Sequence, residues 1–330
     1  MSTALPDEFD LIDAFLRPFG KRRDLAEQQR EGVLVGPGDD CAQLEPTRGL
    51  ILVATTDAVV EGVHFDLSLG APGDAGHKAL AVNLSDLAAA GARPRWFLCA
   101  LGVPAVADAA ATAARMAAGM AALARRHGIA LAGGNVTQAA QWSITITALG
   151  EAKTPLSRRG GKAGDALVVC GELGSAALGL MELKRGKRAA MGRAQLRPAP
   201  LVEAGQAAVG LASAAIDVSD GLLADLAHLC AASGCGARVN CEALPESLSV
   251  RKASPDHALA LTGGEDYALL FAVPQDLLKK LLAALADTGK KGAVIGALNG
   301  ERGLSLFEHD HARPLPARLG WDHLAEGNGG

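Results

Sequence analysis

Apolar and polar positions along this chain switch between helical and strand periods, and the switches outline the elements. Phe9, Leu11, Ile12, Phe15 and Leu16 recur at helical spacing, which predicts an amphipathic helix over residues 7–17 ended by Pro18. The apolar run Leu50 to Ala54 predicts a buried strand with Thr55, Thr56 and Asp57 at its exit. Gly76 to Ala90 reads as a helix stopped by Gly91 and Pro94. Trp96 to Val103 reads as a strand, 105–127 as a long Ala-rich helix, and Ile129 to Ala132 as a strand leaving into Gly133, Gly134, Asn135, Val136 and Thr137. Ser143 to Leu149 alternates Ile with Thr or Ser, the pattern of a half-exposed strand. In the second half, Ala166–Cys170, Ala215–Val218 and Leu269–Val273 read as strands, and the turns at Gly174 and Gly221 lead into helices.

Between the halves lies Lys153–Asp165, basic, Gly-rich and turn-like. It predicts an inter-domain crossing and divides the chain into 1–152 and 153–330. Arg158 and Arg159 in this stretch suit phosphate, and a solvated linker fits them equally.

Composition narrows the picture. The chain has 330 residues, enough for two ordinary domains, and is 49% hydrophobic but only 3% aromatic, with 40 Gly. Its core must therefore be Ala, Leu and Val packed closely through small residues. A net charge of -4 without a basic stripe argues against a general nucleic-acid binder. The six Cys form no C-x-x-C pair, which fits a reducing compartment. The N-terminus carries no basic-then-apolar leader, and Asp108 and Arg115 interrupt the Ala-rich stretch 105–124. The expectation is a cytoplasmic protein with no membrane span.

The candidate chemistry is acidic. Asp39/Asp40, Asp57, Asp217/Asp220 and Glu265 each follow a strand next to glycine or a hydroxyl. Any one alone fits an ordinary turn. Together they are costly, because clustered carboxylates repel and resist burial. Bound divalent cations with a nucleotide triphosphate are the simplest remedy, and Mg²⁺ prefers hard oxygen donors. Asn83 and Asp86 share one face of an otherwise apolar helix, as a functional pair or a satisfied buried network. No P-loop and no G-x-G-x-x-G occurs.

Several stretches carry a more specific likeness. They are Asp7-Glu8-Phe9-Asp10-Leu11-Ile12, Gly38-Asp39-Asp40-Cys41-Ala42, Thr56-Asp57, Gly62-Val63-His64-Phe65, Lys78 to Ala89, Ile216 to Leu222, and Gly263-Gly264-Glu265-Asp266-Tyr267. In order, and over nearly the whole chain, they resemble the thiamine-monophosphate kinase family of the aminoimidazole ribonucleotide synthetase superfamily. The resemblance implies an α/β (α+β) fold of two domains. The sheet of the first would pair with a second copy's in a barrel-like homodimer core, and the second would be a C-terminal α/β domain. It implies several Mg²⁺ ions, held by Asp40, Thr55, Thr56, Asp57, Asp86, Asp217 and Asp220. It implies ATP touched by Gly134, Asn135, Arg158 and Ser219, and thiamine monophosphate held by His64, Glu265 and Trp321. Where the family usually has Gly-Gly-Asp-Thr, this chain has Gly133-Gly134-Asn135-Val136. Asn135 keeps an oxygen donor at that metal position but loses a charge.

The implied reaction moves the γ-phosphoryl of ATP onto the phosphate of thiamine monophosphate. A phosphate with a second pKa near about 6 is already mostly ionised at neutral pH, so no strong base is required. The barrier is repulsion between two polyanions, which agrees with a site rich in acids that hold cations and with no Ser-His-Asp or Cys-His set. Two other readings fit the same stretches: a sister enzyme with a different acceptor, and a nucleotide-binding protein that lost turnover through Asn135.

Overall fold

A computed structural model describes residues 8–20, 32–187 and 190–321. Residues 1–7, 21–31, 188–189 and 322–330 lie outside the described residues. The chain divides into two compact units, Met1–Leu87 with Arg93–Lys153, and Ala88–Ala92 with Thr154–Gly330.

The first unit is built on a four-stranded sheet. Its strands are β3 (Ile51–Val60), β4 (Arg93–Val103), β5 (Ala130–Gln138) and β6 (Ser143–Ala152), in the order β3-β6-β4-β5. β6 runs antiparallel to both of its neighbours, and β4 and β5 are parallel. A two-stranded ribbon, β1 (Val33–Val35) and β2 (Gln43–Leu44), adds Val33 to a small cluster with Trp96 and Ala132. The helices are α1 (Glu8–Leu16), α2 (Pro72–Ala89) and α3 (Ala109–His127). The Ala-rich composition is used where α2 meets α3. A Cβ on Gly76 would lie 1.9 Å from the Met116 carbonyl oxygen, and one on Gly119 would lie 1.8 Å from that of Gly73. The two helices therefore touch backbone to backbone, and alanine is too large at either position.

Two strands are longer than their apolar runs indicate. β3 continues through Thr55, Thr56 and Asp57 to Val60, so these residues sit in mid-strand and not at an exit. β3 is an edge strand with most of its residues at least partly exposed, so polar side chains do not end it as long as β6 supplies hydrogen bonds. β5 likewise runs on through Gly133, Gly134 and Asn135 to Gln138. A Cβ at Gly134 would lie 2.0 Å from the Cys99 carbonyl oxygen of the neighbouring strand. Close approach of β4, rather than a ligand's approach, makes glycine necessary there.

The second unit has a seven-stranded sheet in the order β13-β12-β9-β11-β7-β10-β8. The strands are β7 (Ala166–Cys170), β8 (Ala214–Val218), β9 (Gly236–Asn240), β10 (Ala268–Val273), β11 (Gly292–Asn299), β12 (Gly303–Glu308) and β13 (His311–Arg313). All pairings are antiparallel except β12 with β9. Every residue of β7, β8 and β10 is buried, which is why β7 and β10 read as continuous apolar runs, while β8 carries the buried Asp217. The helices are α4 (Ser175–Lys184), α5 (Ala190–Leu196), α6 (Val202–Ala208), α7 (Leu222–Ser233), α8 (Leu248–Ala253), α9 (Ala258–Thr262) and α10 (Leu278–Asp287). α7 packs Leu222, Leu223, Leu226 and Leu229 into the core with Ile216 and Leu270. Among the described residues, no helix is long and apolar enough to cross a membrane.

Candidate functional site

In the first unit, strand alternation sorts the candidate residues. Thr55 and Asp57 point to one face of β3, and Thr56 to the other. The Thr55 hydroxyl donates to Asp86 of α2 at 2.5 Å, so Thr55, Asp57 and Asp86 share the helix-covered face. The Thr56 hydroxyl instead meets the Thr147 hydroxyl at 3.1 Å on the opposite face. Asn83, one turn before Asp86, is fully buried; its amide donates to the Ala79 carbonyl at 3.0 Å, and its Oδ1 has no hydrogen-bond partner.

Asn135 stands apart. It lies level with Ala100, which lies level with Thr145, which lies level with Ala58. Three strand spacings of about 4.8 Å separate β5 from β3, and this row faces away from Asp57. Within one unit, Asn135 is therefore not brought to the Asp57–Asp86 face, whereas Gly134, level with Asp57 through Cys99 and Ile146, lies in the Asp57 row three strands away. Asp40 is exposed in the turn before β2, where its N–H donates to Asp39 Oδ1 at 2.8 Å. One acid of that adjacent pair thus caps the turn.

His64 sits in the turn after β3. The Val60 N–H donates to His64 Nδ1 at 3.2 Å, so Nδ1 is the acceptor and the ring's N–H is at Nε2. The Lys78 ammonium, buried on α2, donates to the His64 carbonyl at 2.7 Å and holds the turn.

The second unit gathers its candidates on one turn, Ser219–Asp220, at the end of β8. The Glu265 N–H donates to the Ser219 carbonyl at 2.7 Å, and the Trp321 N–H donates to the Asp220 carbonyl at 2.8 Å. Asp217 lies two residues before Ser219, next to the last residue of β8, opposite Leu269, and is buried. Asp217, Ser219, Asp220, Glu265 and Trp321 are thereby joined through the main chain. Trp321 remains 44% exposed. Arg158 is exposed; next to it, the Ser157 carbonyl accepts from the Ala215 N–H near the start of β8, the opposite end from Ser219.

Three residues that the sequence did not single out complete this cluster. Asp225, in the first turn of α7, accepts the N–H groups of Ser219 and Asp220 at 2.9 and 3.0 Å. Asp266 accepts those of Gly174 and Ala176 at 2.6 and 3.0 Å. Gln195 donates its amide to Glu265 Oε2 at 2.5 Å. Burial, with the neighbouring Asp220 charge, pushes the Asp225 carboxyl up to about 7. Burial also pushes Asp266 up to about 7, against the pull of its Ala176 and Gly174 N–H bonds. Acids are crowded here beyond what the fold comfortably neutralises. An acid inside the apolar helix start Leu222-Leu223-Ala224-Asp225-Leu226 was a readable signal for Asp225, whereas Gln195, 70 residues from its partner, gave none.

Comparison with known proteins identifies the family. The family model described as AIR synthase related protein, N-terminal domain, matches residues 38–152, and the corresponding C-terminal domain model matches 162–309. The thiamine-monophosphate kinase of Salmonella typhimurium is 38% identical over 96% of this chain and 98% of its own length. The crystal structure of the Stenotrophomonas maltophilia thiamine-monophosphate kinase is 35% identical, with a TM-score of 0.80 over 93% of this chain and 98% of that one. AaThiL complexed with AMPPCP and TMP is 29% identical, with a TM-score of 0.74 over 96% of each chain.

Proposed function

We infer that this chain, which belongs to the thiamine-monophosphate kinase family, works by neutralising charge between two phosphorylated substrates rather than by acid–base catalysis. It uses ATP to phosphorylate thiamine monophosphate to thiamine diphosphate. The single observation that carries the mechanism is the Ser219–Asp220 turn, whose main chain holds Asp217, Asp220, Glu265 and Trp321 in one cluster.

The donors suit Mg²⁺. They are carboxylate and hydroxyl oxygens, and among the described residues no three His, Cys, Asp or Glu are grouped so as to hold a metal ion by themselves. Mg²⁺ is commonly held by one or two carboxylates and completed by water and substrate phosphate. The orphaned Asn83 Oδ1 beside Asp86 is a further oxygen that bound water would satisfy. Asp40, Thr55, Asp57, Asp86, Asp217 and Asp220 would hold the ions, with Thr56 and Asn135 on the other sheet face. Bound Mg²⁺ would neutralise the phosphates and favour in-line transfer.

The remaining assignments follow from what each side chain offers. His64 presents Nε2–H as a donor to the acceptor phosphate. Glu265, aligned by Gln195, meets the cationic ring of the substrate, and the exposed Trp321 stacks on it. Gly134, Asn135, Arg158 and Ser219 take the nucleotide. A homodimer covers the open face of the first sheet, where Leu52, Ala54, Thr56 and Ala58 form an exposed row of small and apolar side chains. The unpaired thiols suit a cytoplasmic enzyme.

The test is an assay of thiamine diphosphate formation from ATP and thiamine monophosphate, with and without Mg²⁺. Product should form only with the divalent ion. Full turnover in a thoroughly chelated reaction would refute the mechanism.

A further inference from the structure

We propose that Asp225 and Asp266 are positioning residues, carboxylates that fix through main-chain N–H groups the direction in which Asp220 and Glu265 point. The inference rests on the reading of Asp220 as a metal residue and Glu265 as a substrate residue.

The loop that carries Glu265 would not hold its shape unaided. Gly264, Glu265 and Tyr267 adopt φ values of 68°, 59° and 50°, and this left-handed region is strained for a non-glycine residue. Such a loop persists only when its surroundings over-determine it. The Glu265 and Tyr267 N–H groups donate to the Ser219 and Val218 carbonyls, which ties the loop to the end of β8. Asp266, between these two, fastens the same loop to the start of α4 through Gly174 and Ala176. Asp225 fastens the other partner, the Ser219–Asp220 turn, to the start of α7. The loop and the turn therefore each have one carboxylate anchor, and the helix-start N–H groups involved have no partner within their own helices.

The anchors differ in a testable way. Asp225 receives both N–H groups on the single oxygen Oδ2. Asparagine can place its carbonyl oxygen there and keep both bonds. Asp266 uses Oδ2 for Gly174 and Oδ1 for Ala176. Asparagine at this position must turn an NH₂ donor toward one N–H donor, leaving that group unsatisfied.

The experiment measures steady-state kinetics of the full chain with ATP, thiamine monophosphate and varied Mg²⁺, together with site-resolved amide hydrogen exchange. Asp266→Asn should raise KM for thiamine monophosphate about tenfold or more, with KM for ATP within about twofold of wild type. Asp225→Ala should raise the Mg²⁺ concentration for half activity about tenfold, and Asp225→Asn should restore it to within about threefold. In the wild type, the Gly174, Ala176, Ser219 and Asp220 amides should exchange slowly despite lying in turns and a first helical turn. Wild-type KM in Asp266→Asn, equal damage from Asp225→Asn and Asp225→Ala, or unprotected wild-type amides would each overturn the proposal. The exchange measurement needs no variant to fold. A wild-type protein that makes no thiamine diphosphate would instead defeat the functional reading, while leaving the exchange result to stand alone.

Discussion

The two units present their acids by different means. In the first, Thr55 and Asp57 are aimed by strand alternation, and a side-chain bond links Thr55 to Asp86. In the second, the Ser219–Asp220 turn is held through main-chain groups, by Asp225, Glu265 and Trp321. A strand face tolerates side-chain changes because its ladder persists without them. A clamped turn couples its side chains to the fold, because the groups that aim them are also the groups that hold the backbone. The first unit should therefore lose function cleanly, and the second should lose function together with local order.

The largest effect should come from Asp57→Ala. Its ladder with β6 needs no side chain, so thermal unfolding should stay close to wild type while kcat falls by about 10³-fold. A variant that keeps its rate would break the contrast, since Asp57 would then be only an edge-strand polar residue. Next is Gly119→Ala, which forces a methyl group into the Gly73 carbonyl. Its cost should be about 3 kcal/mol in denaturant unfolding, because neither helix backbone can give way easily.

Thr55 and Thr56 sharpen the contrast within one strand. Thr55→Val removes the donor to Asp86 and should lower kcat/KM by about tenfold. Thr56→Val, on the far face, should change the one-copy site by less than about twofold. Equal losses would show that the Thr56 hydroxyl also serves the site, from the far face.

The last effect is on stability rather than rate and concerns the support of the first unit. Glu151 accepts from the Thr47 N–H and hydroxyl and from Arg95. Burial works to raise its pKa, but these partners outweigh it and hold the carboxyl below its ordinary value of 4.5. A lowered folded pKa means that its stability is present above the unfolded value and is lost as pH falls through the folded one. Glu151→Gln should cost about 2 kcal/mol at pH 7. Unfolding curves of the variant and wild type should draw together as pH drops below 4.5. A gap that holds constant with pH would mean that packing, not charge, accounts for it.

The sequence determined much of this protein without help. Continuous apolar runs located β7 and β10, because strands buried on both faces are built mainly of apolar residues. The ordered acidic stretches pointed to the family, because a phosphate site must supply oxygen donors at definite places. Only the tertiary structure decided the rest. β3 and β5 outrun their apolar segments because a neighbouring strand, absent from any local pattern, supplies their hydrogen bonds. Gly134 is glycine because of the Cys99 carbonyl on the adjacent strand. Gln195 reaches Glu265 only after folding brings together residues far apart in the chain. Periodicity records which face of an element is buried, but not which distant atom will stand against it.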